Sequence, residues 1–124
     1  QTMAYPSKYK DAQVEILGVP SVARQLAAGS ASSNTALTPS VQRISIRAVG
    51  ADIRFSIGKG TQTANGNTSN FIANGERLDF AVPASFERDK DPTSSTYGQL
   101  INGPNIAIIR DGTVNGTLEL TELI

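Results

Sequence analysis

Residues 43–58 read RISIRAVGADIRFSIG, and this stretch decides the fold class. On each side of Gly50-Ala51, apolar residues alternate with polar ones, which is the period-2 pattern of a half-buried β-strand. A two-residue connection that begins with glycine suits a tight hairpin turn, because glycine adopts positive φ without a Cβ clash. The sequence therefore predicts a β-hairpin in which Ile46 faces Phe55 and, on the other face, Arg47 faces Arg54.

Other short segments of the chain have the same strand-like character. Residues 22–28 fit either a strand or a short helix, whereas residues 29–40, GSASSNTALTPS, have the composition of a loop. The further predicted strand segments are 71–72, 78–82, 106–110 and 117–123. Short strands separated by Gly, Asn and Pro turns predict an all-β fold, a single antiparallel β-sandwich or β-barrel that is jelly-roll-like.

The chain divides into an N-terminal arm and one β domain. Residues 1–13, QTMAYPSKYKDAQ, show neither a helical nor a strand period and predict an extended arm, and residues 14–124 predict a single domain. A loosely ordered terminus is the alternative for the arm. Tyrosine joins an apolar ring to a polar tip and suits contacts with a neighbour. The candidate partner-binding residues of the arm are Tyr5, Lys8, Tyr9 and Lys10.

The composition excludes several classes of function. The chain has no histidine, so it has no side chain with an ordinary pKa near 7, and no cysteine, so it has no thiolate nucleophile. We therefore expect no enzyme, no catalytic residues, no cofactor and no metal site. Lys and Arg total 11 and Asp and Glu total 11, which argues against a nucleic-acid partner. The longest apolar runs, such as residues 106–109, are too short to span a bilayer, so no membrane partner is expected.

Two kinds of small-ligand site need to be considered, a calcium loop and a carbohydrate site. Asp89-Lys90-Asp91 resembles the opening of a calcium loop, but residues 92–94 lack the third acidic ligand and the glycine that such a loop needs. A carbohydrate-binding β-sandwich stays open as an alternative, because jelly-roll folds host lectins. Lectin sites stack sugars on aromatic rings, and this chain contains no tryptophan.

Three blocks of the chain together resemble a known class of protein. They are ISIRAVGADIRFSIG (44–58), FIANGERLDFAVP (71–83) and NIAIIRDGTVNGTLELTEL (105–123), and they resemble small virion structural proteins of tailed bacteriophages. The resemblance implies a capsid decoration (cement) protein, made in the bacterial cytoplasm and bound to the outer surface of the capsid. Its implied partners are the major capsid protein or other virion proteins. A neck or tail accessory protein is the alternative.

These observations combine into one functional hypothesis. We expect a homo-oligomer, a trimer or dimer, that clamps adjacent capsid subunits through the arm and the polar loops 59–70 and 84–104. Arg47 and Arg54 are a second candidate partner contact. Their alternative is an intramolecular role, in which a carboxylate such as Asp79 or Glu119 covers the arginine face of the sheet.

Overall fold

The computed structural model describes residues 18–124, so Tyr5, Lys8, Tyr9 and Lys10 of the predicted arm lie outside the described residues. Within the described part the regular structure is all β, and no helix there is long and apolar enough to cross a membrane. The strands are β1 (Pro20–Ala28), β2 (Ser33–Ala36), β3 (Arg43–Val49), β4 (Ile53–Lys59), β5 (Asn70–Ile72), β6 (Arg77–Ala81), β7 (Pro104–Arg110) and β8 (Gly116–Leu123).

The strands form two four-stranded antiparallel sheets that pack as a sandwich. The first sheet has the order β1-β8-β3-β6 and the second has the order β2-β7-β4-β5. The chain passes between the sheets at almost every connection, and the strand order is that of a jelly roll. The all-β prediction is confirmed as a β-sandwich, and the barrel alternative is wrong because the two sheets do not close on each other.

The core is built from the alternating apolar residues that the sequence pattern singled out. Ile44 and Ile46 of the first sheet are fully buried against Ile53, Ile106 and Ile108 of the second. Burial of each such side chain stabilises the fold by about 1.5–3 kcal/mol. The isoleucine stripes therefore hold the two sheets together across the middle of the sandwich.

The predicted hairpin at Gly50-Ala51 is wrong. β3 pairs with β6 and β8, and β4 pairs with β5 and β7, so the two strands belong to different sheets. Gly50 does take a positive φ of 90°, but the turn carries the chain across the sandwich instead of back along the same sheet. The apolar stripe is buried in either arrangement, so the pattern alone does not distinguish them.

Two assignments in the first third of the domain are also settled. Residues 22–28, which fitted a strand or a helix, belong to the nine-residue strand β1, and Pro20 is its first residue, a position that tolerates the missing N–H. Residues 29–40 are not entirely loop, because Ser33–Ala36 pairs with β7 as strand β2. β2 has small, mostly exposed side chains, so it gives no period-2 apolar signal.

The two ends of the sandwich differ in the length of their connections. One end, here called the turn end, has the short connections 29–32, 50–52, 73–76 and 111–115. The opposite end, here called the loop end, has the connections 37–42, 60–69 and 82–103. Gly18, the first described residue, also lies at the loop end, where Val19 and Ile124 exchange backbone hydrogen bonds. The predicted arm is therefore attached to the same end as the long loops.

Candidate functional site

Arg54, one of the two predicted partner contacts, is engaged inside the molecule. Its Nε donates a hydrogen bond to Asp111 at 2.8 Å, and its Nη1 donates to the carbonyl of Ser69 at 3.0 Å. The guanidinium also lies over the ring of Phe71, 4.9 Å from the ring centre. The carboxylate partner is thus Asp111, a residue that sequence reasoning missed, and neither Asp79 nor Glu119.

Arg47 lies on the exposed outer face of the first sheet, and the expectation that it faces Arg54 is wrong. It lies opposite Arg77 of β6 on one side and opposite Glu119 of β8 on the other. Asp79 lies opposite Ser45, the next outward-facing position along β3. The expected like-charge pair exists, but with a different arginine. Among residues 18–124, the Arg47 side chain makes no hydrogen bond or ion pair, whereas the Arg77 side chain donates to the Ser45 hydroxyl at 2.8 Å.

The loop of residues 82–103 has an ordered backbone despite its polar sequence. The two halves of the loop run antiparallel and pair at an isolated β-bridge between Arg88 and Leu100. The Ile101 N–H donates to the Glu87 carbonyl at 2.9 Å, and the Asp89 N–H donates to the Gln99 carbonyl at 2.9 Å. These backbone hydrogen bonds hold the loop in a defined conformation that projects from the loop end.

The tip of the loop is closed by two aspartates. The hydroxyls of Ser94 and Thr96 and the backbone N–H of Asp91 hold the pKa of Asp89 below its ordinary value. The backbone N–H and hydroxyl of Thr93 likewise lower the pKa of Asp91. The predicted absence of a calcium loop stays a prediction. In the structure these carboxylates serve as turn caps, and residues 18–124 hold no group of three or more His, Cys, Asp or Glu positioned to bind a metal.

The ordered loop presents two aromatic side chains to solvent. Phe86 is 75% exposed and Tyr97 is 59% exposed. Large aromatic side chains supply much of the binding energy at protein interfaces, and holding them on an ordered loop reduces the entropy lost on binding. Sequence reasoning placed both residues in a long loop but did not single out Phe86. An aromatic residue within a polar, charged loop was the available signal.

The base of the loop is fixed to the sandwich. Ser85 is fully buried, its hydroxyl donates to the Ile101 carbonyl and accepts from the Glu87 N–H, and its own N–H donates to the Pro39 carbonyl at 2.7 Å. Gly103 passes so close to the preceding connection that a Cβ there would lie 2.6 Å from the Pro39 Cα. The loop therefore leaves the domain at a defined angle.

A buried carboxylate supports the connection 37–42 at the loop end. Glu122 is 1% exposed and accepts hydrogen bonds at 3.0 Å from the Thr38 N–H and from Arg24 Nη2. Burial alone would raise the pKa of Glu122, but the hydrogen bonds from Thr38 and the charge of Arg24 outweigh it and lower the pKa. This ion pair fastens the connection 37–42 to strands β1 and β8.

A groove with aromatic walls opens where strands β5 and β6 form neighbouring edges of the two sheets. Its volume is about 510 Å³, and it is lined by Phe55, Ile57, Asn70, Phe71, Leu78, Phe80, Ala81 and Pro83. The rings of Phe55 and Phe80 stack with their centres 5.7 Å apart. Phe71 lies in the predicted strand segment 71–72, which is observed as part of β5, and it is 42% exposed at this edge.

Comparisons with known proteins leave the chain without an assigned family. No family model matches it, and no curated protein matches it. A solved structure titled "Crystal structure of PirA" is similar over 81% of this chain and 92% of that chain, with 13% sequence identity and a TM-score of 0.48. That likeness is too distant to carry an argument about function.

Proposed function

We propose that this chain is a non-enzymatic virion structural protein of a tailed bacteriophage that decorates the outer surface of the capsid and clamps adjacent subunits. The proposal begins from the resemblance of residues 44–58, 71–83 and 105–123 to such proteins. Its partner is the major capsid protein or another virion protein. Jelly-roll sandwiches occur widely in capsids, although a fold alone does not specify a function.

The observation that supports the proposal best is the difference between the two ends of the sandwich. The three long connections and the attachment point of residues 1–17 are at the loop end, while the turn end has only short connections. A protein that contacts several neighbours from one side requires such an arrangement. The ordered loop 82–103, with Phe86 and Tyr97 exposed, offers the apolar anchors of that contact.

Decoration stabilises a shell through linkage. A protein that binds the assembled shell, and does not bind its dissociated subunits, favours the assembled state by about 2.7 kcal/mol per site when its free concentration is 100 times Kd. No chemical step is needed. In this proposal the N-terminal arm contacts a neighbouring subunit through Tyr5, Lys8, Tyr9 and Lys10. Arg47 is a peripheral cationic contact.

The test uses substitutions at the exposed aromatic residues of the loop. Phe86→Ser with Tyr97→Ser should weaken binding to undecorated particles at least tenfold, because each truncated anchor removes about 1–2 kcal/mol of interface energy. Val114→Ser is the matched control, since Val114 is 61% exposed but lies at the turn end. If the double variant folds and binds as tightly as the control, loop 82–103 is not the contact and the proposal loses its main support.

The predicted arm is tested separately by deletion. Removing residues 1–13 should weaken particle binding while leaving the unfolding temperature of the domain unchanged, because those residues precede the described sandwich. Equal binding by the truncated and full-length chains would exclude the arm from the interface.

A carbohydrate-binding function is the second candidate, and the groove between β5 and β6 favours it. Sugars stack on aromatic faces, and Phe71 lies exposed at the rim of this groove. A glycan array distinguishes the two functions. Glycan binding that Phe71→Ala abolishes, by a protein that does not associate with particles, would replace the decoration proposal.

A further inference from the structure

The two sheets have four edge strands, and three of them carry features that prevent pairing with another chain. β2 has four residues and β5 has three, and strands this short offer few backbone groups for pairing with another chain. β2 is also flanked by residues 62–64, because the side chains of Asn34 and Ser32 accept hydrogen bonds from the Gln62 and Ala64 N–H groups. β6 carries the charged, outward-facing Arg77 and Asp79.

Strand β1, the fourth edge, is protected only at its start, where Pro20 is followed by a break in the register with β8 between Pro20 and Ala23. It is nine residues long, PSVARQLAA, and within residues 18–124 only β8 pairs with it. Its one charged side chain, Arg24, is directed inward to Glu122 and neutralised there. The regular part of the edge runs from Ala23 to Ala28, over roughly 17 Å at about 3.4 Å per residue, and within residues 18–124 no other strand pairs with its outer side. An uncharged edge of this kind is a template for β-pairing.

We propose that β1 pairs antiparallel with β1 of a second copy of this chain, joining the two first sheets into one continuous eight-stranded sheet. The pairing forms an isologous twofold dimer with Gln25 facing Gln25 of the other copy. It does not depend on the decoration function, since it rests on the edge of the first sheet and not on the loop end.

We choose the register from charge and from the two faces of the strand. Opposite residues in an antiparallel pair share a face, so the twofold axis must pass at a residue position. An axis at Arg24 would place two guanidinium groups opposite each other, which is unfavourable. With the axis at Gln25, Arg24 lies opposite Leu26, Ala23 lies opposite Ala27, and the two glutamine amides face each other on the outer surface.

A second copy fits this edge better than a charged partner strand. Every outward-facing side chain from position 23 to position 27 is small or an uncharged amide, namely Ala23, Gln25 and Ala27. Gln25 Nε2 donates to the Glu119 carboxylate of β8 at 3.0 Å, so the nearest charge on this face lies one strand in from the edge. The edge row itself carries no charge for a partner to complement, whereas it complements itself in the register given above. The backbone hydrogen bonds then supply the attraction, and the small side chains let the strands approach.

Single cysteines test the surface and the register together, because the chain has no native cysteine. Opposite residues in an antiparallel pair have Cα atoms about 4.5–5.5 Å apart, within disulfide reach, so Gln25→Cys should form a disulfide-linked dimer in the full chain under mild oxidation. Ala23→Cys alone should not, since its two copies would be roughly 14 Å apart. A mixture of Ala23→Cys and Ala27→Cys chains should form the mixed dimer. Thr113→Cys at the turn end controls for random collision.

Charge substitutions provide a second readout that does not involve disulfides. Ala23→Lys with Ala27→Lys places lysines opposite lysines and should shift the protein from dimer to monomer in analytical ultracentrifugation. Ala23→Lys with Ala27→Glu places opposite charges together and should restore the dimer. A wild-type chain that stays monomeric at high concentration would overturn the inference, as would a dimer in which Gln25→Cys fails to cross-link. If the chain is a monomer and still binds particles, the β1 pairing is refuted and the decoration proposal is unaffected.

Discussion

Substitution of Ser85 by alanine tests whether loop 82–103 is ordered by the contacts described above. Ser85 is fully buried, and its hydroxyl serves both the Ile101 carbonyl and the Glu87 N–H. Ser85→Ala removes both hydrogen bonds and leaves the Glu87 N–H and the half-buried Ile101 carbonyl without these partners. At about 1 kcal/mol for each lost bond, the ordered loop should be destabilised by about 2 kcal/mol relative to its open state.

Amide hydrogen exchange followed by NMR measures this change site by site. A loss of about 2 kcal/mol corresponds to about 30-fold faster exchange through local opening. The reporters are the Asp89, Gly98 and Ile101 amides, which donate to backbone carbonyls within the loop. Amides of the central strands exchange through global unfolding and should change less. Ser95→Ala at the exposed tip is the control, with an expected cost within about 0.5 kcal/mol.

Two results would refute the reasoning. If the reporter amides of the wild-type loop exchange as fast as those of an unfolded peptide, these backbone hydrogen bonds do not exist in solution. If Ser85→Ala and Ser95→Ala change the exchange rates equally, Ser85 is not the anchor. In either case the aromatic residues would not be held in a preorganised position, and the proposed contact would have to form with a larger loss of entropy.

Three further predictions concern the sandwich itself. Glu122→Gln should lower the free energy of unfolding at pH 7 by about 1–3 kcal/mol, because the pair with the partly exposed Arg24 is weakened. Because the folded pKa of Glu122 lies below the unfolded value of about 4.3, its contribution is present above that pH and lost as the pH falls through the folded pKa. Urea titrations at several pH values should show less acid destabilisation in the variant, and an unchanged pH dependence would contradict the assignment. A double-mutant cycle of Arg54→Met and Asp111→Asn should give a coupling of about 1 kcal/mol, since each side chain is about a quarter exposed, and a coupling near zero would contradict the ion pair between Arg54 and Asp111. Gly103→Ala should lower the unfolding temperature by several degrees, whereas Gly112→Ala, with open space around it, should not; equal effects would contradict the close packing of the loop base.

The sequence pattern predicts which residues face the core and fails to predict their neighbours. Alternation identified Ile44, Ile46 and Phe55 as inward-facing, and all three are buried. It did not distinguish a hairpin from a crossing between sheets, because both arrangements bury the same stripe. The same ambiguity paired Arg47 with Arg54, when its neighbour is Arg77.

The candidate contact surface was only partly visible in the sequence. Its long polar loop was predicted from composition, but its order was not, because that order comes from backbone bonds and from Ser85, whose burial no period reveals. Likewise, the sequence predicted a strand at residues 71–72 but not that Phe71 would be exposed. It is exposed because β5 is a short edge strand beside an open groove. Edge position depends on the assembled sheet, which local sequence does not encode.

Copy counting in purified phage particles tests the decoration proposal most directly. Quantitative mass spectrometry of particles assembled with this chain should find it present in stoichiometric proportion to the capsid protein, on the order of hundreds of copies, as binding to a repeated shell lattice requires. About a dozen copies or fewer would move the chain to the neck or tail. Its absence from washed particles would contradict a structural role in the virion.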